Sequence, residues 1–215
     1  MTYTLYGQAG FGSVCVEAAL EFLDAEYDFV DANPLGDDGN RARVAAINPA
    51  GQVPALVLPG GAVMTESAAI LIYLGDLHPA SGLAPVVDAP QRADYLRWLL
   101  FLASSLYSTF TISDGPERFH PDPATHDGLL AQADERRKVV WGLMNDAFTG
   151  RPGPHLLGEG MTMLDIYTAM MSRWDPGRDW FDAHCPALLD AVRETEKHPA
   201  IRRVWARNYR IGDAA

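Results

Sequence analysis

The chain has 215 residues, enough to bury a core in one large domain or two small ones. Its formal net charge of −11 argues against nucleic acid as a partner, since phosphates call for clustered Lys and Arg. No apolar run approaches the roughly 18 residues of a membrane span, and the opening Met1–Tyr6 looks like a short strand, not a signal peptide, so a cytoplasmic setting is expected. Cys15 and Cys185 are the only cysteines and suggest neither a disulfide framework nor a zinc site. The basic runs Arg136-Arg137-Lys138 and Arg202-Arg203 read as solvated helix faces.

In chain order, residues 3–6 form a β-rich run ending at Gly7. Val16, Ala19, Leu20 and Leu23 then recur at helical spacing and predict an amphipathic helix from Ser13. Tyr27 to Val30 alternates as a second strand, and the turn formers of 33–39 follow. A short helix over about 40–47 stops before Asn48-Pro49, because the residue preceding proline avoids the α region. Ala55–Leu58 and Ala62–Met64 flank Pro59-Gly60-Gly61 as a hairpin. A last helix of this half turns Ile70, Tyr73, Leu74 and Leu77 to one side.

The order β-α-β-α-β-β-α is therefore legible over 1–78, with the first two strands parallel and the hairpin antiparallel. Proline and glycine mark 79–90 as a linker. Beyond it, 91–215 is predicted all-helical. Tyr95, Trp98, Leu99, Leu102 and Leu106 make one stripe; Val140, Leu143, Met144 and Phe148 make another. Residues 113–125 are expected to be a loop, Gly150–Pro154 a second break, and helices to resume near Thr162, Pro186 and Pro199.

Two stretches point to chemistry. Pro54 stands immediately before a core strand, where it cannot donate to the ladder. A cis Val53–Pro54 bond would leave the Val53 backbone free to pair with an extended peptide; a plain trans turn explains the same residues. Thr65-Glu66-Ser67 lies where strand gives way to helix. There, free N–H groups suit a carboxylate and Glu66 suits an ammonium, the two ends of an α-amino acid. A simple N-cap by Thr65 or Ser67 is the plainer alternative.

Together, Gly51-Gln52-Val53-Pro54 and Glu66-Ser67 resemble the glutathione site of the cytosolic glutathione transferase family. Gly158 with Thr162–Tyr167 resembles its capping motif in the second domain, and His198-Pro199-Ala200-Ile201 its last helix start. The resemblance implies an α/β thioredoxin-like domain followed by an all-α helical-bundle domain, in a homodimer. It implies glutathione as co-substrate, with Val53, ahead of a cis Pro54, on the cysteinyl backbone, Glu66 and Ser67 on the γ-glutamyl end, and Gln52 beside them. The expected reaction is attack of the glutathione thiolate on a hydrophobic electrophile. A glutathione-dependent lyase, isomerase or peroxidase, or a non-catalytic binding protein, would share the site.

The thiolate needs a hydrogen-bond donor near the first helix's N-terminus. Ser13 is the first expectation; Tyr6, or backbone N–H groups around Gly12 and Ser13, are the alternatives. By the resemblance, the beta-class cysteine falls at Gly12 and the beta-class histidine at Tyr107, while Cys15 matches only the second cysteine of a C-x-x-C pair and reads as buried and inert. Phe11, Tyr107, Phe110 and Thr111, with Phe119 beyond, are expected to wall the electrophile site. Thr162 and Asp165 read as a capping box. His120 and His126, near Asp122 and Asp127 in a Pro-rich loop, lack the fixed geometry of a metal site, and no metal is expected.

Overall fold

The computed structural model describes residues 2–150 and 152–209. Met1 of the first strand, Arg151 of the second break and the end of the helical half lie outside them.

Strands β1 (Tyr3–Gly7), β2 (Tyr27–Asp31), β3 (Ala55–Val57) and β4 (Val63–Met64) form one sheet in the order β2-β1-β3-β4. β1 and β2 are parallel, with Leu5 opposite Phe29; β3 runs antiparallel to both β1 and β4. Helices α1 (Ser13–Phe22), α2 (Asp38–Ile47) and α3 (Ser67–Leu77) complete this half in the predicted order. α2 starts earlier than expected because Asp37 caps it, its carboxylate accepting from the Asn40 N–H at 2.9 Å.

The helical half holds α4 (Arg92–Phe101), a π turn (Leu102–Leu106), α5 (Tyr107–Asp114), α6 (His126–Phe148), α7 (Met163–Met171), α8 (Arg178–His184), α9 (Pro186–Thr195) and α10 (Pro199–Asn208). The sequence reading missed α8, and it ran the 113–125 loop over the end of α5 and two single 3-10 turns. Pro186 and Pro199 open their helices as anticipated. The linker is packed down: Leu83 is buried and its carbonyl accepts from the Met163 N–H at 2.8 Å.

Several faces differ from the periodicity reading. α1 is not amphipathic; every residue from Ser13 to Leu20 is buried. α3 covers its inner side, and α7 and α10 close the other. On α3 the buried set is Ala68, Ile70, Leu71 and Leu74, leaving Tyr73 and Leu77 at the surface. Leu143 is exposed on α6, whereas Arg137, read as solvated, is buried. Its guanidinium bonds the Thr109 hydroxyl and carbonyl and the Ser113 hydroxyl, and lies over the Phe110 ring. These partners sit on another helix, so the charge run gives no hint of them.

The polar flank of α1 is tied to α10. Glu17, itself buried, accepts from Arg207 at 3.0 Å and from Asn208 at 2.7 Å. Glu21 takes Arg203 at 2.8 Å and Arg207 at 3.0 Å. The Tyr27 hydroxyl donates toward both carboxylates.

The Thr162–Asp165 capping box is present. One Asp165 oxygen accepts from the Thr162 N–H and hydroxyl, each at 2.8 Å; the other accepts from the Leu156 N–H at 2.8 Å. Asp165→Ala would strand two buried backbone N–H donors as well as the Thr162 hydroxyl and remove the cap, and should cost about 2–4 kcal/mol in urea unfolding.

Candidate functional site

A cavity of about 770 Å³ opens between the N-terminal sheet half and the α4–α5 helix. One end is lined by Gln52, Val53, Pro54, Glu66 and Ser67; the other by Phe11, Leu100, Ala103, Tyr107 and Thr111. The predicted Phe11, Tyr107 and Thr111 are thus brought together with the predicted Gln52–Pro54 and Glu66–Ser67; Leu100 and Ala103 are additions, and Phe110 and Phe119 are left out.

The first end is built by backbone. Asn48 organises it: its amide donates to the Gln52 carbonyl at 2.8 Å and its carbonyl oxygen accepts from the Ala50 N–H at 3.1 Å. Gly51, at φ +68°, makes the turn in a region that costs a residue with a side chain. The Val53–Pro54 peptide is cis, and among the described residues no backbone hydrogen bond engages Val53. Its N–H and C=O are therefore available to an extended ligand at the cavity edge.

Glu66 precedes α3 at φ +64°, one of two non-glycine residues with positive φ among those described. Such a conformation costs of order 1–3 kcal/mol and clusters at binding sites. Ser67 begins α3, and its hydroxyl lies 2.9 Å from the buried Tyr167 hydroxyl of α7. Burial raises the Tyr167 phenol well above its ordinary pKa, so it stays protonated. When Tyr167 donates, the Ser67 proton and N–H both remain free for a carboxylate at the helix's positive end.

The expected thiolate donors are placed differently. Ser13 is buried, and its hydroxyl donates to the Gln8 carbonyl and accepts from the Gln8 N–H, both at 3.0 Å. It fastens the turn after β1 and does not line the cavity. Short Ser side chains commonly fold back on nearby backbone this way, and the sequence cannot show which way the hydroxyl turns. Tyr6 packs with Phe11 against Ala32, Val44 and Val53 and does not itself line the cavity. Gly12 is buried at the start of α1, with the Tyr107 phenol oxygen filling the space a side chain would need. Cys15 is fully buried, its thiol on the Gly12 carbonyl at 3.1 Å, and burial pushes its pKa far up.

Phe110 is core, held edge-on by Trp174 at 4.9 Å and beneath Arg137. Phe119 is exposed and apart from the cavity. Trp174 is the residue the sequence reading missed. Its indole N–H donates to the Gly10 carbonyl at 2.8 Å, and its ring meets Tyr107 edge-on at 5.5 Å. Arg173 and Arg178 on either side both bind Glu196, at 2.9 and 2.7 Å, and hold this turn in place. A tryptophan in a loop beside proline carries no periodic signal. Among the described residues no group of His, Cys, Asp and Glu could hold a metal, and no helix is long and apolar enough to cross a membrane.

The profile of the glutathione S-transferase N-terminal domain matches residues 15–77. The GST-like protein YncG of Escherichia coli (strain K12) is 35% identical over 208 residues, covering 95% of this chain and 97% of that protein. A sphingomonad glutathione S-transferase solved with glutathione is 29% identical with a TM-score of 0.77, covering 95% of this chain and 98% of that one. A transferase homologue from Sulfitobacter, solved with bound glutathione, shares the fold at a TM-score of 0.85 and 24% identity over 96% of this chain and 98% of its own.

Two outcomes follow from the placement of Ser13 and Cys15. Ser13→Ala should lower stability by about 1–2 kcal/mol in urea titration, through the lost pair of local hydrogen bonds. Iodoacetamide should label native Cys15 at least about a hundredfold more slowly than an unstructured thiol, since a buried, protonated thiol is inert; mass spectrometry of the time course reads this directly.

Proposed function

The chain belongs to the glutathione S-transferase family, and we propose that it transfers the glutathione thiolate to a small hydrophobic electrophile. The observation that supports this most is the single cavity lined by Val53, Glu66 and Ser67 at one end and by Phe11, Leu100, Ala103 and Tyr107 at the other. A peptide held at the first end presents its sulfur toward the second.

In this reading residues 1–78 hold glutathione and 91–215 supply the electrophile's wall, with 79–90 joining them. The cysteinyl backbone pairs with Val53, with Gln52 alongside. The γ-glutamyl ammonium meets Glu66 and its carboxylate meets Ser67 at the start of α3. The thiol releases its proton to solvent, and the sulfur lone pair forms the carbon–sulfur bond as the leaving group departs with its electrons. Holding both reactants in one cavity removes most of the entropic barrier to their encounter. Family membership supports a homodimer and a cytoplasmic detoxifying role.

Isothermal titration with glutathione, followed by turnover of a panel of electrophiles, tests this reading; no heat of binding and no turnover would sink it. Glu66→Gln should weaken glutathione binding about tenfold, equivalent to about 1.4 kcal/mol of lost ammonium attraction. The same variant should bind a glutathione analogue lacking the amino group nearly as well as the parent does.

A further inference from the structure

We propose that the hydrogen-bond donor to the glutathione sulfur is the Tyr107 hydroxyl, reaching from the helical half into the space left by the missing side chain of Gly12. This rests on the glutathione reading above and names a residue for a task first expected of Ser13 or Tyr6, whose side chains do not line the cavity.

Four observations converge on it. First, a Cβ on residue 12 would overlap the Tyr107 phenol oxygen. The hydroxyl therefore touches the N-terminus of α1, where the helix dipole already favours an anion. Second, Tyr107 lines the cavity shared with Val53, Glu66 and Ser67, and its hydroxyl makes no hydrogen bond to another described residue. Third, the ring is held: Trp174 packs on it edge-on at 5.5 Å and is itself anchored to Gly10. Fourth, the helix is re-phased immediately before it. The π turn Leu102–Leu106 carries the Tyr107 N–H to the Leu102 carbonyl, five residues back. Such turns are frequent where a helix must aim a functional side chain.

The electrostatics agree. Burial, then the acidic groups Cys15, Asp114 and Glu66, raise the Tyr107 phenol above its ordinary range, so it keeps its proton and acts as a donor. Tyr167, the other titratable neighbour coupled to it, is likewise held protonated by burial. The cavity also carries Arg41 and Arg118 with Asp114, Glu117 and Glu66; at Gly12 itself the donors offered to a thiolate are this hydroxyl and the N–H groups opening α1. The thiol proton leaves to solvent, and Tyr107 retains its own throughout.

Tyr107→Phe keeps the ring and removes only the donor. Titrating the ultraviolet thiolate absorbance of bound glutathione against pH should show its apparent pKa rising by about one unit in the variant. Glutathione affinity should stay within about threefold, and kcat/KM for 1-chloro-2,4-dinitrobenzene should fall about tenfold at neutral pH and recover as pH rises. Gly12→Ala, whose new methyl displaces the hydroxyl, should give a similar rise, and the double variant no more than the larger single effect. An unmoved thiol pKa in Tyr107→Phe overturns the proposal even where turnover falls. Failure of the parent protein to bind glutathione overturns the glutathione reading first and this proposal with it; circular dichroism of each variant separates both outcomes from misfolding.

Discussion

Residues 13–20 of α1 are buried on every side, between the sheet and α3 on one flank and α7 and α10 on the other. A helix enclosed in this way fixes the position of its own N-terminus. The turn after β1 is fastened beneath it by Ser13, and the long α4–α5 helix approaches from above through Tyr107. The cavity is the space left where these elements meet the cis-proline turn and the start of α3. Its geometry therefore depends on the packing of both halves of the chain, although most of its polar groups come from the first.

Much of this was legible in the residues. Strand alternation, turn formers and helix periodicity are local properties, and they set out the βαβαββα order correctly. Thr162 and Asp165 cap one another across three residues, a spacing visible in any sequence. What escaped detection depended on tertiary partners. The periodicity of α1 suggested one wet face because nothing in the helix announces that α10 will cover it. Arg137 looked solvated because Thr109, Ser113 and Phe110, which bury it, are over twenty residues away. The same limit applies to the site. Val53, Glu66 and Ser67 line the cavity, whereas the Ser13 hydroxyl, expected beside a thiolate, is bonded to Gln8. A hydroxyl at a helix start has two ways to point, and only the fold selects one.

Gly12 and Tyr107 form a complementary pair, since the space denied to one side chain is filled by the other. The arrangement leaves the α1 N-terminus without a side chain of its own at position 12 and brings a phenol from the other half. Trp174 contributes to the same corner, bonding the Gly10 carbonyl while bracing Tyr107 and Phe110. The loop between β1 and α1 is thus held by Ser13 from within and by Trp174 and Tyr107 from the helical half.

The tie between Glu17 and Arg207 spans nearly the whole chain. α1 is made early, and the charged and amide groups that pair with its buried carboxylate come some 190 residues later, in α10. An unpaired buried carboxylate is costly enough that α1 cannot settle into its final packing alone. The final packing of α1 is therefore coupled to α10, and a chain cut before residue 203 would hold a sheet and a helix without the clamp that locks them.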